Sequence, residues 1–208
     1  MANDWHLVKA VQAHLKKVGV RTPGRYGHLE WVAKMAAWGA EKECDQRGIV
    51  GPLREEIVRR AWRLGLLHDV ESWLGWGDDH AKEGARVAVD ILEELGIDDP
   101  FLGEMVGLHN QKNVPLRDDP AWDIPFFVVF GADHINWGLE WVEDKWKEYQ
   151  RLGYSPLQAM DDYQFMLEMV QSPNLNQTII GREWTIPYLN FGIEIIEHVR
   201  SVFLGKQN

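Results

Sequence analysis

The sequence predicts an all-α protein built as a single domain. Apolar residues recur at spacings of three and four along nearly the whole chain, as they do in helices that bury one face. No run of residues alternates between apolar and polar in the way that a half-buried strand would. The chain has 208 residues, which is enough for one domain to bury a sizeable core without disulfides or metals. We therefore expect one globular helical domain.

The N-terminal half predicts five helices separated by short breaks. Asn3 or Asp4 can cap the first helix. Proline and glycine between Arg21 and Gly27 predict a loop, Gly51 and Pro52 open the third helix, and Asp78 or Asp79 can cap the fourth. The expected helices cover residues 4–19, 28–43, 51 to the Gly-Trp-Gly break at 75–77, 78–95 and 101–109.

The C-terminal half predicts three more helices. Residues 110–123 are polar and contain prolines, so they are expected to form a loop. Pro125 then starts a helix that is apolar almost all round through Phe130 and extends to about Leu152. Ser155 and Pro156 form a good cap and first turn for a helix to about residue 170. Residues 172–184 are expected to be irregular, and a last helix is expected over 186–204.

Charge and composition exclude several classes of protein. Lys and Arg number 22 against 32 Asp and Glu, which gives a net charge of −10. Duplex nucleic acids and anionic membranes are poor partners for so acidic a chain, because their phosphates are bound mainly by basic residues. A single cysteine, Cys44, excludes a disulfide framework and a cysteine-built zinc site.

Targeting signals are not apparent in the sequence. The longest apolar run, Ile124 to Ala132, is shorter than the roughly 20 residues of a membrane span. The N-terminus lacks the basic start and apolar stretch of a secretion signal. We therefore expect a soluble, cytoplasmic protein; the sequence leaves its oligomeric state open.

Four of the eight histidines occupy positions where an apolar residue is expected on a helix. They are His28, His68, His80 and His109. Each one alone is readily explained as a core histidine with a hydrogen-bond partner. Four together require four such partners, because a buried imidazole must have its polar atoms satisfied. A shared partner, such as a metal ion, becomes an alternative.

Two carboxylates also fall on inward-facing positions. Asp69 lies on the inner side of its helix, and Asp133 follows a segment with almost no polar face. A buried carboxylate is neutralised, paired or bound to a cation, because leaving it charged and alone is costly. The inward faces carry histidines and not Lys or Arg. Imidazoles and carboxylates without thiolates are typical ligands of Mn, Fe, Co, Ni or Zn.

The ordered set of these residues resembles the HD-domain superfamily of metal-dependent phosphohydrolases. The matching segments are Gly27-His28-Leu29-Glu30, Leu66-Leu67-His68-Asp69-Val70, His80-Ala81-Lys82-Glu83-Gly84-Ala85, Gly107-Leu108-His109 and Gly131-Ala132-Asp133. The resemblance implies an HD-like helical bundle whose metal-binding core covers about residues 25–140. The helices of about 155–204 are then an additional layer, and the chain after about Trp141 has no counterpart.

The resemblance implies six ligands for one or two divalent ions, which can be Mn, Fe, Co, Ni, Zn or Mg. The six are His28, His68, Asp69, His80, His109 and Asp133. In this assignment His80 and His109 belong to a second ion, and Asp69 bridges the two. Two cations roughly 3.5–4 Å apart can activate water as a nucleophile and neutralise a phosphoester.

Four further residues are candidates for catalysis or substrate binding. Glu71 can orient the attacking water or protonate a leaving oxygen, or it can be an exposed helix residue. Arg21 and Arg25 precede His28 and can hold a phosphate over the metals, or they can be solvated loop charges. Lys112 follows His109 by three residues and is a weaker candidate for substrate binding, since a surface position explains it equally well.

The expected function is that of a metal-dependent phosphohydrolase acting on a small phosphorylated molecule, with a nucleotide favoured. The first alternative is a diiron oxygenase of the same superfamily that cleaves a C–P or C–C bond, since both chemistries use His and Asp ligands. The second is a non-catalytic helical binding protein with core histidines. The chain departs from the superfamily pattern in that Asn110, and not a second histidine, follows His109. No segment resembles the Gly-Tyr-Pro of cyclic-dinucleotide phosphodiesterases, which argues against that substrate.

Overall fold

The computed structural model describes residues 4–19, 23–71, 78–135, 168 and 170–204. These residues form seven α-helices, one 3₁₀ helix and one π-helical turn, and they contain no strand, which confirms the all-α expectation. The α-helices are α1 (Trp5–Lys17), α2 (Pro23–Arg47), α3 (Gly51–Leu67), α4 (Asp78–Glu94), α5 (Leu102–Leu108), α6 (Pro120–Ile135) and α7 (Ile186–Leu204). In this part of the chain, no helix combines the length and apolar character needed to cross a membrane.

The centre of the fold is formed by α2, α3 and α6, which all pack against one another. Helix α6 is buried on nearly every side, in agreement with its apolar sequence. Its aromatic residues Trp122, Phe126, Phe127 and Phe130 are among the largest fully buried side chains. Helix α4 packs on α5, and α1 contacts α3 and α4. The central three helices thus supply a rigid frame for side chains at their ends.

A close approach between α2 and α3 depends on Gly65. A Cβ atom at this position would lie 2.5 Å from the Cα of Ala33 and 2.7 Å from its backbone nitrogen. Backbone atoms cannot move aside as a flexible side chain can, so only glycine allows this separation of the two helices. Gly65 therefore sets the distance between α2 and the end of α3.

The start of α6 differs from the sequence expectation. The helix begins at Pro120, so Pro125 lies within it and not at its start. Because proline has no N–H, the carbonyl of Ala121 loses its usual helical donor. The guanidinium of Arg60 donates to that carbonyl instead, and it also pairs with Asp99 at 2.9 Å. This buried arginine explains how the helix continues through the proline.

The start of α2 is also different. The expected loop at residues 21–27 is wrong for 23–27, because α2 already begins at Pro23. Proline is well tolerated in a first helical turn, where its missing N–H has no partner to lose. Helix α3 ends at Leu67, so His68 to Glu71 form a turn. The observed bounds of α1, α4, α5 and α7 agree with expectation to within two residues.

The C-terminal segment, which comprises the described residues 168 and 170–204, packs on α6. It contains a 3₁₀ helix (Pro173–Gln177) and a π-helical turn (Gly181–Thr185), so the stretch expected to be irregular is helical, with uncommon helix types. Ile180 fills the space left by Gly39 and Gly131, where an added Cβ would meet its side chain. The continuation of α6 to about 152 and most of the helix expected over 155–170 lie outside the described residues.

Candidate metal centre

The structure brings the six candidate ligands together from the ends of five helices. His28 lies in the second turn of α2, and His80 in the first turn of α4. His68 and His109 stand at the C-terminal caps of α3 and α5. Asp69 is in the turn after α3, and Asp133 is in the last turn of α6.

One half of the cluster is organised around Asp133. Its Oδ1 lies 3.2 Å from Nε2 of His28 and 3.3 Å from Nε2 of His68. The two rings are 5.3 Å apart between centroids. Asp69 approaches the same half, with its Oδ2 4.0 Å from Nε2 of His68. Two imidazole nitrogens and two carboxylates therefore surround one small space.

The other half is organised around Asp69. Its Oδ1 lies 3.1 Å from Nε2 of His109 and 3.7 Å from Nε2 of His80. In the group of His28, His68 and Asp69, one ligand atom from each residue lies within 4.8 Å of the others. The same holds for Asp69, His80 and His109. Asp69 belongs to both groups, so two neighbouring ions can share its carboxylate.

Backbone hydrogen bonds orient two of the histidines. Nδ1 of His68 donates to the carbonyl of Gly65 at 2.8 Å, and Nδ1 of His109 donates to that of Val106 at 2.7 Å. Both carbonyls lie three residues earlier, at a helix end where such groups need a donor. In the neutral ring, a proton on Nδ1 leaves Nε2, which faces the carboxylates, as the nitrogen that can bind a metal.

Electrostatics within the cluster favour charged carboxylates. Burial alone would raise the pKa of Asp69, but its hydrogen bond with His109 and the charge of His68 hold that pKa well below the usual range. The pKa of Asp133 is likewise lowered, since His68 and His28 outweigh the effect of burial. Burial opposes the charged form of His68, yet Asp133 and Asp69 raise its pKa to about 9. Without a metal, a proton on His68 therefore offsets part of the carboxylate charge.

The ligand chemistry fits a divalent cation. Among the described residues, the charged partners of Asp69 and Asp133 are all histidines and include no Lys or Arg. Imidazole nitrogens and carboxylate oxygens together are the donors of Mn, Fe, Co, Ni and Zn sites. His and Asp groups that could hold a metal ion are thus present in the fold.

Glu71 is buried rather than exposed, and its carboxylate has a partner that the sequence did not indicate. Its Oε1 lies 2.5 Å from Nε2 of His14 on α1. The two residues are far apart in the chain, and neither belongs to a recognisable motif, so no sequence signal could have paired them. The catalytic role of Glu71 stays a prediction. Its hydrogen bond with His14 ties α1 to the turn that carries Asp69.

The structure describes the three basic candidates for substrate binding to different extents. Arg21 lies outside the described residues. Arg25 is in the first turn of α2, and its position one turn before His28 follows from the helix alone. Lys112 forms an ion pair with Glu168 near the start of the C-terminal segment. Its assignment to substrate binding stays a prediction.

His134 is a further residue whose role the sequence did not establish. Its Nδ1 donates to the carbonyl of Phe130 at 2.7 Å and lies 3.8 Å from Oδ2 of Asp133. Burial, only partly offset by Asp133, lowers the pKa of His134, which therefore favours the neutral ring. The contact positions a neutral imidazole directly beside Asp133.

Comparison of the chain with family models, with curated proteins and with solved structures found no match. The resemblance to the HD-domain superfamily therefore rests on the five sequence segments that carry it.

Proposed function

We propose that this protein is a two-metal phosphohydrolase acting on a small phosphorylated molecule. The observation that carries the proposal is the position of Asp69, which belongs to two groups of close ligand atoms at once. A carboxylate shared in this way fixes the spacing of two neighbouring cations. Paired cations of this kind are typical of phosphatases and nucleases.

The residues divide into two sets in this proposal. His28, His68 and Asp133 would hold the first ion, His80 and His109 would hold the second, and Asp69 would be shared between them. When bound, such ions supply Lewis acidity, which activates water and stabilises charge on the phosphoryl oxygens. The Nδ1 hydrogen bonds of His68 and His109 keep both rings in the tautomer and orientation that binding needs.

Exposure favours one side of the cluster as the entrance for substrate. The side chain of His28 is 26% exposed, whereas that of His109 is 5% exposed. His28 also lies one turn after Arg25 on α2. An anionic substrate that approaches from this side reaches the ions past the start of α2, the helix that carries residue 25. We infer a nucleotide or a molecule of similar charge as substrate, with the two arginines holding its phosphate.

The experiment is a phosphate-release assay on the metal-free protein after loading with Mn²⁺ or Co²⁺ under nitrogen. A panel of nucleotides and sugar phosphates is offered, and release of phosphate or nucleoside is measured. Turnover of at least one compound is expected. Asp69→Ala should abolish it, because the shared ligand is lost. Asp90→Ala is the matched control, since Asp90 is an exposed residue of α4 paired with Arg86.

Two outcomes would contradict the hydrolase proposal. Activity that needs both iron and air, with no phosphoester turned over under nitrogen, would favour a diiron oxygenase. A purified protein that binds no divalent ion and turns over no compound would favour a non-catalytic helical protein with core histidines.

A further inference from the structure

The loop that follows His109 is held by two side chains from the C-terminal segment. The amide of Asn174 donates to the carbonyl of Gln111 at 2.8 Å, and its Oδ1 accepts from the backbone N–H of Val114 at 3.0 Å. The hydroxyl of Ser172 donates to the carbonyl of Lys112. Three backbone groups within four residues of loop are therefore satisfied by side chains that lie about sixty positions later.

Asn174 is suited to this role by its burial. Its exposed fraction is 0%, so neither end of its amide has water as an alternative partner. The hydroxyl of Ser172 also accepts from the backbone N–H of Asn174 at 3.3 Å, which caps the 3₁₀ helix and orients the asparagine. We call Ser172 and Asn174 together the C-terminal clamp. Removing a buried partner of this kind leaves backbone polar groups unsatisfied, which is costly.

Helix α5 needs such support more than the other helices that carry ligands. It has only seven residues, whereas α2 has 25, α4 has 17 and α6 has 16. A helix this short is marginal on its own and frays from its ends. His109 stands at its C-terminal cap, and its orienting bond to Val106 spans the last turn. Fraying would release the ring that lies beside Asp69.

We propose that Asn174, with Ser172, is a positioning residue for the second metal ion, because it fixes the loop that holds His109 at the end of α5. This inference rests on the two-metal proposal above. It makes the C-terminal segment part of the metal centre, although that segment supplies none of the six candidate ligands. The side-chain hydrogen bonds of the clamp go to residues 111–114 and not to the helices that carry His28, His68 and Asp133, so the first ion is expected to bind as in wild type.

The test compares metal binding in wild type, Asn174→Ala, Ser172→Ala and Thr185→Val. The full-length chain is freed of metal and titrated with Co²⁺, and bound cobalt per chain is followed by calorimetry and absorbance. Thr185→Val is the matched control: Thr185 is a buried residue of the same segment that donates to Gly131 and Ile180, away from the loop. Hydrogen exchange of residues 102–114 is measured on the metal-free variants.

Asn174→Ala should weaken the second Co²⁺ by about 10- to 100-fold, the usual effect of removing a group that orients a ligand. Binding of the first Co²⁺ should match wild type. Ser172→Ala should have a smaller effect in the same direction, because it removes one of the three loop contacts. Hydrogen exchange should accelerate in residues 102–114 in both clamp variants and not in Thr185→Val. If Asn174→Ala does not fold, Ser172→Ala carries the comparison.

The inference is overturned if the clamp variants bind both ions as wild type does, or lose both ions equally. It is also overturned if Thr185→Val causes the same selective loss. A wild type that binds no Co²⁺ contradicts the proposed function instead. In that case the exchange rates still decide whether the clamp holds α5: acceleration confined to residues 102–114 supports it, and unchanged or uniformly faster exchange rejects it.

Discussion

Nε2 of His68 lies 3.3 Å from Oδ1 of Asp133, although 65 residues separate them in the chain. The contact joins the end of α3 to the last turn of α6. His68 is 1% exposed, so this pairing takes place inside the protein. The carbonyl of Gly65 accepts from His68, and Gly65 also lies close to the backbone of α2, so the same turn of α3 orients the ring and positions the helix.

Replacing Gly65 with alanine should damage both the fold and the metal centre. The new Cβ would overlap the backbone of Ala33, so α2 and α3 must separate. We expect a loss of about 1–3 kcal/mol in the free energy of unfolding, as is usual for overpacking. Urea unfolding and metal analysis measure the two effects. The control is Gly27→Ala in α2, where a Cβ meets no atom within 4 Å. Equal stability of the two variants would contradict this account of the helix contact.

Replacing His80 with alanine should remove about one ion per chain and leave the protein folded. Nε2 of His80 lies 3.7 Å from Oδ1 of Asp69 in the second group, and the first group of His28, His68 and Asp69 keeps its own ligands when His80 is lost. Metal content by mass spectrometry and helix content by circular dichroism test this together. His6→Ala, at an exposed histidine of α1, is the control. Unchanged metal content in His80→Ala would rule out the two-metal assignment in favour of a single site.

Metal binding should release protons at neutral pH. His68 has an ordinary pKa of 6.5, which its carboxylate neighbours raise to about 9 in the metal-free protein. Its protonated form therefore stabilises the metal-free fold below pH 6.5, and this contribution is lost as the pH rises through about 9. A metal must displace that proton, so affinity should rise about tenfold per pH unit for each proton released and level off above that pKa. Calorimetry at pH 7 in buffers of different ionisation enthalpy counts the protons. A count of zero would contradict a protonated His68.

Replacing Arg60 with methionine should destabilise the fold strongly. Arg60 is 4% exposed and pairs with Asp99 while donating to the carbonyl of Ala121. Its loss leaves the carboxylate of Asp99 without a charged partner and the carbonyl of Ala121 without its donor, which we expect to cost about 3–5 kcal/mol. Thermal and urea unfolding measure the change. Arg59→Met at the exposed neighbouring position is the control, and similar losses in the two variants would show that the buried pair contributes little.

The fold class and most helices were predictable, because the apolar residues of most helices recur at helical spacing within their own sequence. Capping contributed less, since Asp4 stands at the N-cap of α1 without a side-chain capping bond. The start of α6 was not predictable, since Pro125 predicts a helix start from local chemistry alone. The guanidinium of Arg60, which is distant in sequence, supplies the hydrogen-bond donor that the carbonyl of Ala121 lacks, and this allows the helix to continue through Pro125. The start of α2 was not predictable either. Proline is typical of loops and equally compatible with a first helical turn, so Pro23 alone does not distinguish the two.

The candidate ligands were predictable because six polar residues occupy inward positions, a local signal. The residues that support them were not. Asn174 and His14 act across about sixty residues of sequence, and a single asparagine or histidine on its own carries no pattern. The close approach at Gly65 was also hidden, because a glycine within a helix is equally consistent with open space.

If Asp69 joins two metal ions in one centre, wild type and Asp69→Ala should differ sharply in metal content. Mass spectrometry after reconstitution and removal of free ions measures that content. We expect about two divalent ions per wild-type chain, as in other two-metal sites, and loss of metal from both positions in the variant. Wild-type protein that retains no divalent ion, or Asp69→Ala protein that retains as much metal as wild type, would show that Asp69 does not join two ions.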